Sequence, residues 1–95
     1  MKYDKQYFKE VYENAIKDNK EIIDEKVTKA LSEFEGKIKE NVVKRAVVYV
    51  ESKYEDIIIK TIENEYDLFC GRYGEITSEF IPYQPGKTAL YIEVE

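Results

Sequence analysis

The stretch from Val42 to Phe69 constrains the fold more than any other part of the sequence, because it holds the densest set of apolar residues. These residues recur with a period of about 3.6 for about seven turns, which is typical of a helix with one apolar face. Whatever structure the stretch adopts, the remaining segments have to pack against it. Its periodic apolar residues are Val42, Val43, Ala46, Val47, Val50, Tyr54, Ile57, Ile58, Ile62, Tyr66 and Phe69.

Residues 42–50 fit two secondary structures. The helical period slightly favours a helix. The run from Ala46 to Val50, however, is rich in β-branched residues and has the length of a strand. A helix would place Val48 and Tyr49 on its polar side, whereas a strand leaves no apolar residue unexplained. On periodicity we expect a helix over residues 42–50, with the third strand of a sheet as the alternative.

A helix is predicted for residues 53–70. Ser52 and Glu55 match a capping box, which would start this helix, and Gly71 is suited to end it. The residues from Gly71 to Gly74 would then form a turn. The buried face of the helix would carry Tyr54, Ile57, Ile58, Ile62, Tyr66 and Phe69.

Residues 4–35 are predicted to form amphipathic helices, because apolar residues recur there at helical spacing. Asp4 is suited to cap the first helix. The segment Asp18–Glu21 is the expected interruption, since Asn19 tolerates the backbone conformation that often ends a helix. One long bent helix is the alternative. Glycine inside a helix costs about 1 kcal/mol relative to alanine, so we expect a turn or kink at Gly36.

The last segment is predicted to be a β-hairpin of residues 75–83 and 88–94, since both runs are rich in β-branched and aromatic residues. Between them, Pro85 and Gly86 suit the two central positions of a type II turn. A two-stranded sheet is marginal alone, so the hairpin has to pack on the helices or gain a third strand.

Alternation along the hairpin indicates which side chains point into the core. We expect Leu90 and Ile92 to face inward together with Ile76 and Phe80. The helices and the hairpin together predict a single α+β domain over residues 1–95.

The sequence lacks most of the residues that carry catalysis. Histidine is absent and Cys70 is the only cysteine, so the usual general base and a structural zinc site are both missing. Two weaker possibilities are a Cys70 thiolate favoured by Arg72, and a carboxylate pair formed by Glu63 and Asp67. We expect a buried thiol and two solvated acids instead, and therefore no enzyme, no cofactor and no metal.

The charge is distributed unevenly. The chain has a formal charge of −5, and residues 61–95 hold two basic and seven acidic side chains. Such a surface repels nucleic-acid phosphates and attracts basic proteins. Tyrosines beside these acids would add contact area, because the ring is large and apolar and its tip is polar. The predicted partner-binding surface consists of Glu75, Glu79, Tyr83, Tyr91, Glu93 and Glu95.

In composition the chain resembles small accessory proteins of phages and mobile elements, being acidic, rich in Lys, Ile, Glu and Tyr, and without histidine. Some proteins of that kind are nucleic-acid mimics, which inhibit DNA-handling proteins by presenting carboxylates where phosphates would bind. The leading hypothesis is accordingly a non-enzymatic inhibitor. It would bind a basic nucleic-acid-handling protein and would contact neither nucleic acid nor membrane itself.

The alternative hypothesis is a structural homo-oligomer, in its simplest form a homodimer, assembled through the amphipathic helices. Its interface would include Val48, Tyr49 and Ile59, which lie outside the helical stripe and would be exposed. The single cysteine and the lack of an apolar leader at the N-terminus predict a cytoplasmic protein, in the host cell if phage-encoded.

Overall fold

The computed structural model describes residues 3–73 and 84–94. Two helices come first in the chain, and the three strands form one antiparallel sheet in which the last strand lies between the other two. This arrangement confirms the predicted α+β class. In chain order the elements are α1 (Lys5–Asp18), α2 (Lys20–Asn41), β1 (Arg45–Glu51), a 3₁₀ turn (Ser52–Tyr54), α3 (Glu55–Glu65), β2 (Phe69–Arg72) and β3 (Lys87–Glu93).

Local signals define the first helix as predicted. Asp4 caps α1, because its Oδ1 accepts a hydrogen bond from the backbone N–H of Tyr7 at 2.8 Å. Asn19 separates α1 from α2, which confirms the interruption expected at Asp18–Glu21. The side-chain amide of Asn19 donates to the carbonyl oxygen of Ala15 at 2.8 Å and satisfies one of the last carbonyls of α1.

The turn expected at Gly36 is wrong, since α2 runs through this residue to Asn41. The apolar stripe of α2 continues on both sides of Gly36, with Phe34 buried and Ile38 packed against the core. Burial of this stripe outweighs the propensity cost of one glycine. The helix ends instead at Val42, whose φ of 52° and ψ of 55° are left-handed.

The helix expected over residues 42–50 is also wrong, because residues 45–51 form β1, as the alternative stated. Burial alternates along this strand, and Ala46, Val48 and Val50 are its buried residues. Every residue of β1 lies opposite a residue of β3. The sequence of residues 42–50 fits both the helical and the strand period, and pairing with β3 stabilises the strand.

Ser52 does not form the predicted capping box. A 3₁₀ turn from Ser52 to Tyr54 precedes α3, and the N-terminus of α3 has no side-chain capping bond. The Oγ of Ser52 instead lies 2.6 Å from the Oγ1 of Thr88, and its backbone N–H donates to the carbonyl oxygen of Gly86 at 3.0 Å. Partners that are distant in sequence have replaced the local cap.

The predicted helix over residues 53–70 is too long at its C-terminal end, since α3 ends at Glu65. Asp67 turns the chain with a φ of 53°, a left-handed conformation that Asp adopts more readily than most residues. The chain then enters β2. Gly71 therefore lies within a strand, and the turn expected to begin there is wrong.

The turn before β3 has the features predicted for type II. The backbone N–H of Lys87 donates to the carbonyl oxygen of Gln84 at 3.0 Å, and Gly86 has a φ of 72°. The strand that follows is confirmed, but its neighbours are β1 on one side and β2 on the other. The predicted partner strand, residues 75–83, lies outside the described residues.

One face of the sheet packs against α2 and α3 and forms the core. Leu90 and Ile92 are fully buried there, as predicted. Within the described ranges, no helix combines the length and the apolar character needed to cross a membrane. The buried core consists of Ile23, Val27, Ala30, Phe34, Ala46, Val48, Val50, Ile58, Ile62, Cys70, Leu90 and Ile92.

Candidate functional site

Two of the six predicted partner-binding residues lie in the described part of the chain. Tyr91 lies on the sheet face opposite Leu90 and Ile92, as predicted, but it is only 5% exposed, so the expectation that this side chain is exposed is wrong. Glu93 is half-buried. The remaining four, Glu75, Glu79, Tyr83 and Glu95, lie outside the described residues.

Tyr91 belongs to a cluster of side chains that spans all three strands. The rings of Phe69 and Tyr91 pack edge to face, with 5.3 Å between their centroids. The Cζ of Arg45 lies 4.6 Å from the centroid of the Tyr91 ring. The hydroxyl of Tyr91 donates to Glu93 Oε2 at 3.4 Å. The register explains the cluster, because Arg45 and Phe69 lie opposite Glu93 on its two sides.

Arg45 and Glu93 form an ion pair within this cluster. The Nε of Arg45 donates to Glu93 Oε2 at 2.8 Å, and this bond raises the pKa of Arg45 above its ordinary value. The guanidinium therefore contacts a carboxylate and an aromatic face together, which is the geometry that arginine favours in recognition sites.

A groove of about 340 Å³ opens beside the cluster, between the end of α3 and the ends of β2 and β3. We call it the acidic groove. Phe69 is 48% exposed, so its ring remains available to a ligand as well as to Tyr91. The apolar side chains that line the groove are Leu68, Phe69 and Val94, and the acidic ones are Glu63, Asp67 and Glu93.

The end of α3 brings these residues together. Glu63 lies in the last turn of the helix, and the left-handed conformation of Asp67 ends it. The backbone N–H of Leu68 returns to the carbonyl oxygen of Ile62 at 3.5 Å, after which β2 begins. Helical spacing in the sequence predicted that Glu63 and Asp67 lie together, but it did not predict that Phe69 lies beside them. The signal that could have revealed the change of direction is Asp67, which replaces the usual glycine.

The acidic groove is chemically suited to a cationic side chain. Lysine and arginine lay their long stems on apolar surface and keep the charged head in solvent or against a carboxylate. Phe69 and Leu68 offer the apolar surface, and Glu63 with Asp67 offers the charge. In the described ranges, no three His, Cys, Asp or Glu side chains converge as metal ligands.

The residues predicted for an oligomer interface are not exposed as expected. Val48 is 1% exposed because β1 turns it into the core, so it cannot contact a second chain in the folded protein. Tyr49 and Ile59 are half-buried, and Ile59 packs against the core. The expected exposure of all three assumed a helix over residues 42–50 and a polar outer face on α3.

Cys70 lies in β2 and is 3% exposed. Burial, and to a lesser extent Glu63, raise the pKa of its thiol to about 12, although Arg72 acts in the opposite direction. Arg72 is itself paired, with Glu55 at 3.0 Å and with Asp56. Nucleophilic and redox chemistry need the thiolate, so this position does not support them.

The chain matches no protein-family model, no curated protein sequence and no solved structure.

Proposed function

We propose that this protein is a non-enzymatic interaction module that binds a basic protein surface in the acidic groove. One observation carries the proposal: three acidic side chains, Glu63, Asp67 and Glu93, line the same groove as Phe69, which is 48% exposed. An arginine or lysine of the partner would place its stem on Phe69 and its charge against Glu63 and Asp67.

An internal contact of the chain supports this mode of binding. Arg45 already rests on the ring of Tyr91 and pairs with Glu93. The neighbouring ring and carboxylates of the groove would repeat this arrangement with a side chain from the partner. The acids at positions 75, 79 and 95 would extend the negative field from beyond the described residues.

More specifically, we propose that the protein inhibits its partner by occupying the partner's nucleic-acid-binding site. Carboxylates at the rim of an interface raise the association rate and make binding sensitive to salt. An acidic module of this kind is repelled by nucleic acid. Competition between this protein and DNA for one partner would be the behaviour that identifies an inhibitor.

A labelled peptide of alternating Arg and Gly provides a defined basic probe, and fluorescence anisotropy at low and at high salt measures its binding. We expect binding at low salt that weakens as salt rises. Reversing Glu63 to lysine should weaken it about three- to tenfold, since each exposed ion pair contributes about 0.2–1 kcal/mol and the reversal adds repulsion.

Glu33→Lys is the matched control. It makes the same change of charge at an exposed position of α2 that does not line the groove. If Glu63→Lys and Glu33→Lys weaken binding equally, the peptide responds to net charge alone and the groove is not the site. Binding of labelled duplex DNA as tight as that of the peptide would also contradict the proposal.

A further inference from the structure

α1 is amphipathic, yet none of its fourteen residues is buried. Phe8, Val11 and Tyr12 are 55%, 46% and 47% exposed. By contrast, α2 buries four side chains in the core. The ring of Phe8 contacts those of Tyr3 and Tyr7, and Lys60 lies over the ring of Tyr12, but Phe8 and Tyr12 remain about half exposed. A surface helix of a folded domain normally buries its apolar stripe, so the stripe of α1 is covered less than its sequence pattern requires.

A groove runs beside the C-terminal half of α1, where the helix approaches the 3₁₀ turn and α3, and Asn19, Lys53 and Asp56 are its polar lining residues. We call it the α1 groove, and its volume is about 280 Å³. Ile16 is half-buried and is the residue of α1 that packs against the core. The apolar residues that line the α1 groove are Tyr12, Ala15, Ile16, Ile23, Tyr54 and Ile57.

The stripe of α1 is complementary to itself when a second helix runs antiparallel to it. Its N-terminal half carries the bulky Phe8, and its C-terminal half carries the small Ala15. If two helices cross midway between Val11 and Tyr12, each Phe8 lies opposite the other helix's Ala15. Large residues facing small ones allow helices to pack closely, and a two-fold axis makes the same contact twice.

We propose that two copies of this chain associate through α1, antiparallel about a two-fold axis, with Phe8 of each copy seated in the α1 groove of the other. This interface is separate from the acidic groove, since no residue of α1 lines that groove. It also differs from the interface expected at Val48, Tyr49 and Ile59, because it uses a stripe that is exposed in the structure.

The charges of α1 favour a second copy over a charged partner. The helix carries three lysines and three acids, so it is neutral in a chain whose formal charge is −5. A basic protein or an anionic membrane would require an excess of one sign on the polar side of the helix. Two neutral helices can approach without that requirement, even though the chains as wholes repel one another.

The length of α1 limits the strength of this association. Fourteen residues extend about 21 Å along the helix axis. Such a contact falls short of the roughly 800 Å² per partner that stable complexes bury. We therefore expect a dissociation constant in the micromolar range and a monomer–dimer equilibrium that depends on protein concentration.

Sedimentation velocity over a range of protein concentrations tests the proposal with the full chain. The wild type should shift from monomer to dimer as concentration rises, and Val11→Glu should remain monomeric throughout. Because α1 buries no side chain, this substitution should leave the thermal unfolding temperature almost unchanged. Phe8→Ser is the second variant and should weaken the dimer at least tenfold.

Gln6→Glu is the matched control, because it introduces the same side chain on the opposite side of α1 from the stripe. Gln6 is exposed and bonds only weakly, at 3.4 Å, with Glu10. We expect this variant to dimerise like the wild type. A wild type that stays monomeric, or an equal loss of dimer in Gln6→Glu and Val11→Glu, overturns the proposal.

Cross-linking tests the antiparallel arrangement independently. Phe8→Cys chains mixed with Ala15→Cys chains should oxidise mainly to the mixed disulfide, because these positions face each other across the axis. The wild type should not cross-link, since Cys70 is buried. Preferential self-cross-linking of Phe8→Cys chains would indicate a parallel pair and contradict the proposal.

Discussion

Ser52 Oγ and Thr88 Oγ1 lie 2.6 Å apart and join the 3₁₀ turn before α3 to the first residues of β3. The backbone N–H of Ser52 donates to the carbonyl oxygen of Gly86 at 3.0 Å in the same region. The turn that begins β3 is thereby fixed to the residue that follows β1. These two hydrogen bonds of Ser52 fix the position at which β3 begins.

Ser52→Ala and Thr88→Val should each lower the free energy of unfolding by about 1 kcal/mol, because each leaves the other hydroxyl without its partner. The double variant should lose less than the sum of the two, since the shared bond can be lost only once. Urea unfolding of the four proteins measures this coupling. Strictly additive losses would show that the two hydroxyls do not interact.

Val42→Gly should stabilise the protein by about 1–2 kcal/mol. Val42 ends α2 in a left-handed conformation, which strains a β-branched residue and which glycine adopts without strain. The side chain is 90% exposed, so little packing is lost. Val43→Gly is the control and should destabilise, because its backbone φ is not positive. A lower urea midpoint for Val42→Gly would contradict the prediction.

Gly36→Ala should stabilise the protein by about 1 kcal/mol, because glycine lies in the interior of α2 and alanine is the better helix former. A Cβ built at this position would have no heavy atom within 4 Å, so no clash offsets the gain. Thermal unfolding should show a higher midpoint. Gly86→Ala is the opposite case, since the φ of 72° at Gly86 makes any side chain unfavourable.

The ion pair of Lys26 and Glu51 should make stability depend on pH in one direction. Lys26 Nζ lies 2.5 Å from Glu51 Oε1, and this bond lowers the pKa of Glu51 below its ordinary value of 4.5. A depressed pKa in the folded state contributes stability above the ordinary pKa, and this contribution is lost as the pH falls through the folded value.

The same bond raises the pKa of Lys26 above 10.5, so its contribution is present below that pH and is lost as the pH rises through the folded value. Between these limits wild type should unfold at a higher temperature than Glu51→Gln. The difference should shrink as the pH falls below 4.5 and through the lower folded-state pKa of Glu51. A difference that is constant across this range would show that the charge of Glu51 does not matter.

Short-range signals predicted the structure correctly at Asp4 and Gly86 but not at Ser52, Gly36 and Gly71, where burial or strand pairing prevailed. The cap at Asp4 and the turn at Gly86 depend on neighbours within four residues, and both are confirmed. Residues 42–50 satisfy the helical and the strand period together. Only β3, about forty residues further along the chain, selects the strand.

The candidate site was harder to predict for the same reason. Glu63 and Asp67 were recognised as a pair, but the end of the helix was expected at Gly71, because glycine is the usual residue there and Asp67 is a weaker signal. Phe69 was therefore assigned to a buried helix face. Tyr91 was expected to be exposed because its neighbours, Arg45 and Phe69, come from strands whose pairing the sequence did not reveal.

β3 is the last strand in the chain and the central strand of the sheet. During synthesis, β1 and β2 are therefore both made before the strand that joins them exists, and neither can form its ladder until residues 87–93 have emerged. The nascent chain can build α1 and α2 from local contacts, but the sheet has to close in one late step. In a chain that stops before β3, the backbone N–H and C=O groups of β1 and β2 that bond to this strand would have no partner.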